Sequence, residues 1–241
     1  MRISVILPVY NESECIAQTF DSVLEYAKRN PACHFIFVND GSTDNTKLIL
    51  ENKLAAAKSH QIRLVSYRHN QGKGYAVKTG IFHSDGDYIC FIDSDLAYSL
   101  AHLEILIDKL ESFEIVIGCR NLVHDSVNRV KFDRKLAGKI FNYISRKILA
   151  LKYTDMQAGI KGFRKEVAKR LFEKQKLKRF CFDAELIYLA KKHGYTLGEI
   201  PAIVSDRHRY KASKVNLLKD SIKMLMSLIK IKVNDQLCLY E

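Results

Sequence analysis

The chain has 241 residues, 47% hydrophobic and 27% charged, and with only 3 prolines and 11 glycines this composition excludes a long disordered polypeptide. The net charge of +12 is unevenly distributed, because residues 1–120 hold 12 Lys and Arg against 15 Asp and Glu, which leaves a net +15 on residues 121–241. Such a basic half attracts nucleic acid, anionic lipid headgroups or phosphorylated ligands, although a solvated basic face has the same composition.

Cysteine use and hydropathy indicate the compartment. The six cysteines form no C-x-x-C pair, and several lie inside apolar runs. They are interpreted as buried, reduced thiols of a cytoplasmic protein rather than as a disulfide scaffold or a zinc site. No run of about 18 apolar residues occurs, and the apolar segment 3–7 is too short for a signal peptide. We therefore expect a chain that does not span a membrane but can lie peripherally on its cytoplasmic face.

The first half alternates short apolar runs with amphipathic segments. Short continuous apolar strands separated by helices predict a parallel sheet covered on both faces. Ligands of such sheets bind beyond the carboxyl ends of the strands. The predicted strands are 3–7, 35–38, 62–67, 88–92 and 115–117, and the predicted helices are about 13–29, 43–58, 74–83 and 100–111.

The second half has a different pattern, mainly of amphipathic helices. No internal repeat, low-complexity tract or linker separates it from the first half, which favours one compact domain over 1–241. The predicted helices are 131–151, which is strongly basic, 165–173, 183–193 and 216–233, and the predicted short strands are 195–200 and 202–204.

The strongest local signal is Asp93-Ser94-Asp95, directly after the apolar segment 88–92. Two acids at the end of a buried strand repel each other and resist burial unless a cation neutralises them. Mg²⁺ and Mn²⁺ prefer carboxylate oxygens and commonly bind one or two carboxylates together with substrate phosphates. The pattern predicts that Asp93 and Asp95 hold a divalent metal ion; the alternative is a loop with two solvated acids.

Three further polar loops follow predicted strands. In segment 39–44 (NDGSTD), Asp40 could accept hydrogen bonds from a base or ribose, although a plain strand-to-helix turn has the same pattern. In 8–12 (PVYNE) an aromatic ring could stack on a base, and in 70–74 (NQGKG) backbone N–H groups and a lysine could approach phosphate. All four loops follow strand ends, so we expect them to converge on one edge of the sheet.

In this order, the segments PVYNE, NDGSTD, NQGKG and DSDL resemble those of family 2 glycosyltransferases of the GT-A fold. Segment 155–163 (DMQAGIKGF) resembles the DTQCGFKxF segment of polyprenyl-phosphate and dolichyl-phosphate glucosyltransferases, and 180–186 (FCFDAEL) resembles their FDxEL segment. The resemblance covers nearly the whole chain. The departures are DSD for the usual DAD, DMQAG for DTQCG, and no C-terminal membrane helices like those of many members.

This resemblance implies an α/β fold of GT-A type, with a mostly parallel central sheet flanked by helices and a helical, basic C-terminal portion. Residues 1–120 would form the nucleotide-sugar-binding half and residues 121–241 the acceptor-binding half. It further implies an inverting hexosyltransferase that requires Mg²⁺ or Mn²⁺ and uses a nucleotide-diphosphate sugar, with UDP-glucose favoured over GDP-mannose. The implied acceptor is polyprenyl or dolichyl phosphate, and a saccharide or other hydroxyl acceptor is the alternative.

The resemblance also assigns roles to residues. Asp95 and Asp155 are the catalytic candidates, Asp95 as the more direct metal ligand and Asp155 as the group that orients the acceptor or acts as a base. An ordinary loop acid is the alternative for Asp155. The donor nucleotide would be held by Pro8, Tyr10, Glu12, Asp40, Lys73, Asp93 and Ser94. The acceptor phosphate would be bound by Arg120, Arg134, Gln157 and Arg207, since guanidinium suits phosphate oxygens, although each arginine alone is as readily a surface charge.

The basic second half has two remaining interpretations. A nucleic-acid-binding module would need interleaved aromatic and basic residues, a zinc site or an RNP-like segment, none of which occurs, so we expect no nucleic-acid partner. In the last predicted helix, Leu, Ile and Met alternate with lysines. This pattern fits an interfacial helix on anionic lipid and equally a helix that packs on the core.

Overall fold

The computed structural model describes residues 1–123, 132–179, 181–205 and 217–241. Its strands are β1 (Ile3–Val9), β2 (Cys33–Asp40), β3 (Ile62–Tyr67), β4 (Tyr88–Ile92), β5 (Ile115–Cys119), β6 (Ile160–Arg164) and β7 (Leu197–Pro201). Its helices are α1 (Ile16–Arg29), α2 (Thr46–Ala57), α3 (Lys73–Phe82), α4 (His102–Leu110), α5 (Phe132–Leu149), α6 (Lys165–Lys174), α7 (Phe182–Lys192) and α8 (Leu217–Gln236).

The seven described strands form one mixed sheet in the order β3-β2-β1-β4-β6-β5-β7. Parallel pairing joins β1 to β2 and β4, β2 to β3, and β5 to β7, whereas β6 runs antiparallel to both β4 and β5. The carboxyl ends of β1, β2 and β4 therefore lie side by side at one edge. This confirms the predicted mostly parallel sheet with helices on both faces.

Strand β6 is absent from the predicted elements, because Lys161 and Gly162 interrupt its apolar character. Lys161 is nevertheless buried in this strand. Gly162 makes room for α4, since a Cβ there would lie 2.1 Å from Leu106 Cδ2. The strand predicted at 202–204 is wrong: within the described residues this segment pairs only through an isolated bridge from Val204 to Tyr98.

Two apolar cores cover the two faces of the sheet. Along β1, Ile6 belongs to the core beneath α3, α6 and α7, while Val5 and Leu7 belong to the core beneath α1 and α4. Side chains alternate between the faces of a strand, so a strand buried on both sides is apolar throughout. This explains why the central strands β1 and β4 were predictable as apolar runs.

The last described residues pack against α7. Tyr240 is fully buried, and its hydroxyl donates to Glu185 Oε1 at 2.5 Å. Glu185 also accepts hydrogen bonds from the backbone N–H groups of Lys176 and Leu177, so it fixes the segment that connects α6 to α7. Through Glu185, Tyr240 supports the segment that lies beside Gly72. None of the described helices is both long enough and apolar enough to cross a membrane.

Candidate active site at the carboxyl edge of the sheet

Hydrogen bonds and an ion pair join the four polar loops that the sequence predicted to converge. The N–H of Asn11 donates to Ser42 Oγ at 3.0 Å, and its side-chain oxygen accepts from the N–H of Thr43 at 2.8 Å. Asp40 in turn accepts backbone N–H groups of the 70–74 loop. Lys73 Nζ lies 2.5 Å from Asp93 Oδ1. The loops after β1, β2, β3 and β4 thus form one continuous site.

Asp40 is the buried centre of this loop cluster. Its Oδ1 accepts from the hydroxyl of Tyr67 at 2.8 Å and the N–H of Gln71 at 2.7 Å. Its Oδ2 accepts from the side-chain amide of Asn70 at 2.8 Å and the N–H of Gly72 at 2.9 Å. A carboxylate can accept about four hydrogen bonds, so these four bonds use its full capacity. Asp40 therefore sets the path of the chain that leads to Lys73, and its contact with a nucleoside stays a prediction.

The other donor-side candidates lie around the end of β1. Pro8 and Glu12 are partly buried, and Tyr10 is exposed with 40% of its surface accessible, so its ring is open to a stacking partner. The N–H of Glu12 donates to Thr46 Oγ1 at 2.8 Å, which ties this loop to the start of α2. The structure brings these residues to the same edge as Asp40 and Asp93.

Segment 93–95 leaves β4 in a tight turn. The N–H of Asp93 donates to the carbonyl of Gly159 at 3.0 Å, and the carbonyl of Ser94 accepts from Thr19 Oγ1 at 2.7 Å. Leu96 has a left-handed backbone with φ 50°, and the N–H of Ala97 donates to Asp95 Oδ1 at 3.0 Å. Both acids are thereby held at the strand end.

Asp93 and Lys73 form an ion pair that is partly open to solvent, with 29% and 26% of their side chains exposed. Burial raises the pKa of Asp93, Lys73 opposes this shift, and the negative charge of Asp95 adds to it. Burial lowers the pKa of Lys73, but Asp93, Asp183 and Asp95 together raise it above its usual value. The ammonium therefore supplies the positive charge that these acids need.

The acids at this edge fit a divalent ion that is shared with a substrate. Among the described residues, no group of three or more His, Cys, Asp and Glu side chains is placed to hold a metal by itself. Asp93 and Asp95 supply two carboxylates, which matches the way Mg²⁺ binds one or two protein carboxylates and completes its shell with phosphate oxygens and water. Gly159 leaves room for the carboxylate of Asp93, since a Cβ there would lie 1.9 Å from Asp93 Oδ2.

The two acceptor-side candidates Arg120 and Asp155 are paired with each other. Arg120 donates from Nε to Asp155 Oδ2 and from Nη2 to Oδ1, both at 2.7 Å, and its N–H donates to Oδ2 at 2.9 Å. Asp155 is buried, with 2% of its side chain exposed. Burial alone would raise the pKa of Asp155, but the hydrogen bonds and charge of Arg120 lower it below the usual range. The acid is therefore held as a carboxylate, and it orients the guanidinium.

The structure describes only some of the remaining acceptor candidates. Gln157 lies next to the pair, and its N–H donates to Asp155 Oδ1 at 3.3 Å. Arg207 lies outside the described residues. The backbone of Arg134 belongs to α5, but its side chain lies outside what the structure describes. Only Arg120 and Gln157 of the four predicted phosphate ligands can thus be placed beside Asp155.

Sequence reasoning missed a third ion pair, between Lys161 and Asp183, which lies near Asp93. Lys161 Nζ lies 2.6 Å from Asp183 Oδ1, donates to the carbonyl of Ala158 at 2.9 Å, and lies 5.4 Å from the ring centroid of Phe91. Lys161 is 1% exposed and the side chain of Asp183 is 10% exposed. The available signals were a lysine beside apolar residues in segment 155–163 and an acid at the start of a predicted helix.

A basic segment before α7 forms a wall beside the 70–74 loop. Arg179 donates to Asn70 Oδ1 at 3.1 Å, and Lys178 Nζ lies 3.3 Å from Gln71 Oε1. The carbonyl of Lys178 accepts from the N–H of Tyr75 at 2.9 Å. Because Asn70 donates to Asp40, these cations support the loop that carries Lys73.

Comparison with solved structures identifies the fold. Glucosyl-3-phosphoglycerate synthase from Mycobacterium tuberculosis, in complex with Mn²⁺, UDP and glucosyl-3-phosphoglycerate, matches with a TM-score of 0.65 at 18% identity, over 97% of this chain and 79% of that one. The mannosyltransferase from Pyrobaculum calidifontis, in complex with GDP-Man and Mn²⁺, matches with a TM-score of 0.58 at 18% identity, over 86% and 58%. These similarities confirm the predicted GT-A type of α/β fold.

Sequence comparison adds the family. A dolichyl-phosphate beta-glucosyltransferase of Trichomonas vaginalis is 34% identical over 242 residues, which cover 95% of this chain and 70% of the relative. A dolichyl-phosphate beta-glucosyltransferase of Dictyostelium discoideum is 28% identical over 243 residues, which cover 95% and 73%. The model of the family described as Glycosyl transferase family 2 matches residues 4–172. The chain with this acidic loop at its sheet edge therefore belongs to glycosyl transferase family 2.

Proposed function

We propose that this family 2 glycosyltransferase transfers glucose, with inversion, from UDP-glucose to dolichyl phosphate or a related polyprenyl phosphate. The observation that carries the proposal is the meeting of Asp93, Asp95 and Lys73 at one sheet edge, in a chain 34% identical to a dolichyl-phosphate beta-glucosyltransferase. Two carboxylates and an ammonium suit a diphosphate with a divalent ion. Residues 1–120 would bind the nucleotide sugar, and residues 121–241 would bind the acceptor.

Mg²⁺ or Mn²⁺ on Asp93 and Asp95 would neutralise the charge that develops on the departing nucleotide diphosphate. Residues of this chain would position the nucleotide sugar. Tyr10 offers a ring on which the base can stack, and the loop fixed by Asp40 places Lys73 beside the acids. Pro8, Glu12 and Ser94 would complete the wall around the nucleotide.

The Arg120–Asp155 pair favours a phosphate acceptor over a hydroxyl acceptor. A phosphate monoester is already ionised near neutral pH, so its attack requires orientation and charge compensation but no strong base. Asp155, bound in bidentate geometry by Arg120 and held as a carboxylate, is suited to orientation. We propose that Asp155 aims Arg120 at the acceptor phosphate, with Gln157 beside it and with Arg134 and Arg207 as further ligands.

Nucleotide release tests the proposed reaction. UDP release from UDP-glucose, with Mn²⁺ or Mg²⁺, is expected to depend on added dolichyl phosphate and to exceed GDP release from GDP-mannose. Asp95→Asn is expected to lower kcat/KM by about 100-fold or more. The substitution would remove a carboxylate ligand of the divalent ion, and this ion would neutralise the charge on the leaving nucleotide diphosphate. Asp108→Asn, an exposed acid on α4, is the matched control. Full activity in EDTA, or acceptance only of water-soluble saccharides, would contradict the proposal.

We also propose that α8 rests on the membrane that carries the lipid acceptor. One face of the helix packs on the core through Leu228 and Ile231, which are fully buried. The opposite face exposes an apolar stripe, with exposed or partly exposed lysines beside it. The stripe consists of Leu225, Ile229, Val233 and Leu237, which recur every four residues, together with Met226, and the lysines are Lys223, Lys230 and Lys232. An apolar stripe flanked by lysines fits the interface of an anionic bilayer.

Vesicle sedimentation tests this surface. The protein is expected to sediment with vesicles of phosphatidylcholine and phosphatidylserine more than with phosphatidylcholine alone. Met226→Asp with Ile229→Asp is expected to reduce bound protein by about tenfold or more, because two apolar side chains that would insert into the bilayer become charges. Ile105→Asp, at an equally exposed apolar position on α4, is the control. Equal binding by the double variant would show that α8 does not lie on the bilayer.

A further inference from the structure

Lys73 occupies an unusual position for a lysine that is expected to bind donor phosphate. It is the first residue of α3, directly after Gly72, whose φ of 103° is a backbone conformation that favours glycine. Its ammonium contacts Asp93 Oδ1 at 2.5 Å. Asp95 and Asp183 are near enough to stabilise the same charge. The ammonium of Lys73 therefore contacts the carboxylate of Asp93 at the place where a divalent ion would bind.

The neighbouring charges show which acid depends on Lys73. Asp183 has its own buried partner, Lys161, at 2.6 Å. Among the ion pairs of the described residues, Asp93 pairs with Lys73. A divalent ion placed on Asp93 would repel an ammonium at the same carboxylate, since like charges a few ångströms apart in a partly buried site are strongly unfavourable. The ion and Lys73 thus compete for Asp93.

We propose that Lys73 is an exchangeable counter-ion of Asp93, which yields this carboxylate to the metal ion only when the diphosphate of the donor receives the ammonium. This inference rests on the proposed function and adds an order to it: metal and nucleotide bind as a coupled pair. The geometry permits the exchange. The lysine stem is flexible, about a quarter of each side chain faces solvent, and the start of α3 is a favourable place for phosphate.

Binding of Mn²⁺, followed by electron paramagnetic resonance, tests the exchange without an activity assay. In the wild type without nucleotide, Mn²⁺ is expected to bind weakly, and UDP is expected to tighten it by about tenfold or more. Lys73→Met is expected to bind Mn²⁺ about tenfold more tightly without UDP, and UDP should then add little. The same variant should bind UDP more weakly, because the ammonium no longer contacts the diphosphate.

Opposite shifts in the two affinities distinguish exchange from general damage to the site, which would weaken both. Lys78→Met is the matched control, because Lys78 lies five residues further along α3 and donates to the carbonyls of Glu173 and Gln175. Lys73→Gln replaces the methionine variant if the latter is destabilised. If the wild type binds Mn²⁺ but the Lys73 variants bind it no more tightly, the exchange role of Lys73 is wrong, whereas the proposed function is unaffected. Failure of Mn²⁺ to bind the wild type even with UDP would overturn the proposed metal dependence as well.

Discussion

Lys161→Met is expected to lower the free energy of unfolding by about 3–5 kcal/mol, the range for removing one partner of a buried ion pair. The change leaves the carboxylate of Asp183 with 10% of its side chain exposed and without its ammonium partner. The carbonyl of Ala158 also loses a hydrogen bond. Urea denaturation, with the midpoint and slope fitted separately, measures the loss.

Two comparisons make this prediction specific. Arg170→Met, an exposed position on α6, is expected to change stability by no more than about 0.5 kcal/mol. Adding Asp183→Asn to Lys161→Met should recover part of the loss, because the unpaired charge is then removed. If the free energy of unfolding of Lys161→Met alone lies within about 1 kcal/mol of that of the wild type, the Lys161–Asp183 pair is not a main support of β6.

Gly159→Ala is expected to lower kcat/KM by about 100-fold while the protein stays folded, because displacing a catalytic group by about an ångström has effects of this size. The added Cβ would lie 1.9 Å from Asp93 Oδ2 and 2.4 Å from its Cγ. Asp93 must therefore move away from its place beside Lys73. Steady-state kinetics of UDP release, together with the affinity for Mn²⁺, measure this effect.

Gly194→Ala is the matched control for the glycine substitution. Gly194 follows α7 with φ +74°, and a Cβ there would meet no atom within 4 Å. Alanine in this left-handed conformation should cost about 1–2 kcal/mol of stability. It should leave kcat/KM unchanged, because no residue of the site is displaced. Equal activity loss in both variants would show that the Gly159 effect is general destabilisation rather than displacement of Asp93.

Local pattern was enough to predict most of the elements. The strands 62–67 and 88–92 have the predicted bounds. Strand 88–92 is buried on both faces and therefore appears as a continuous apolar run. Helix α1 begins at Ile16 rather than at the predicted residue 13. The reason is tertiary: the N–H of Ser13 donates to Asp44 Oδ2, so the residues before α1 bind the next loop instead of joining the helix.

The sequence by itself determined the α/β alternation, the polar loops at the strand ends and the membership in a family of glycosyltransferases, because these depend on local periodicity and on short motifs. The tertiary structure alone decided that β6 enters the sheet between β4 and β5 and that Lys73 pairs with Asp93 and Arg120 with Asp155. The physical reason is that burial makes pairing obligatory for a charged group but leaves the partner to three-dimensional proximity. Lys161 and Asp183 are 22 positions apart, and only folding brings them to 2.6 Å.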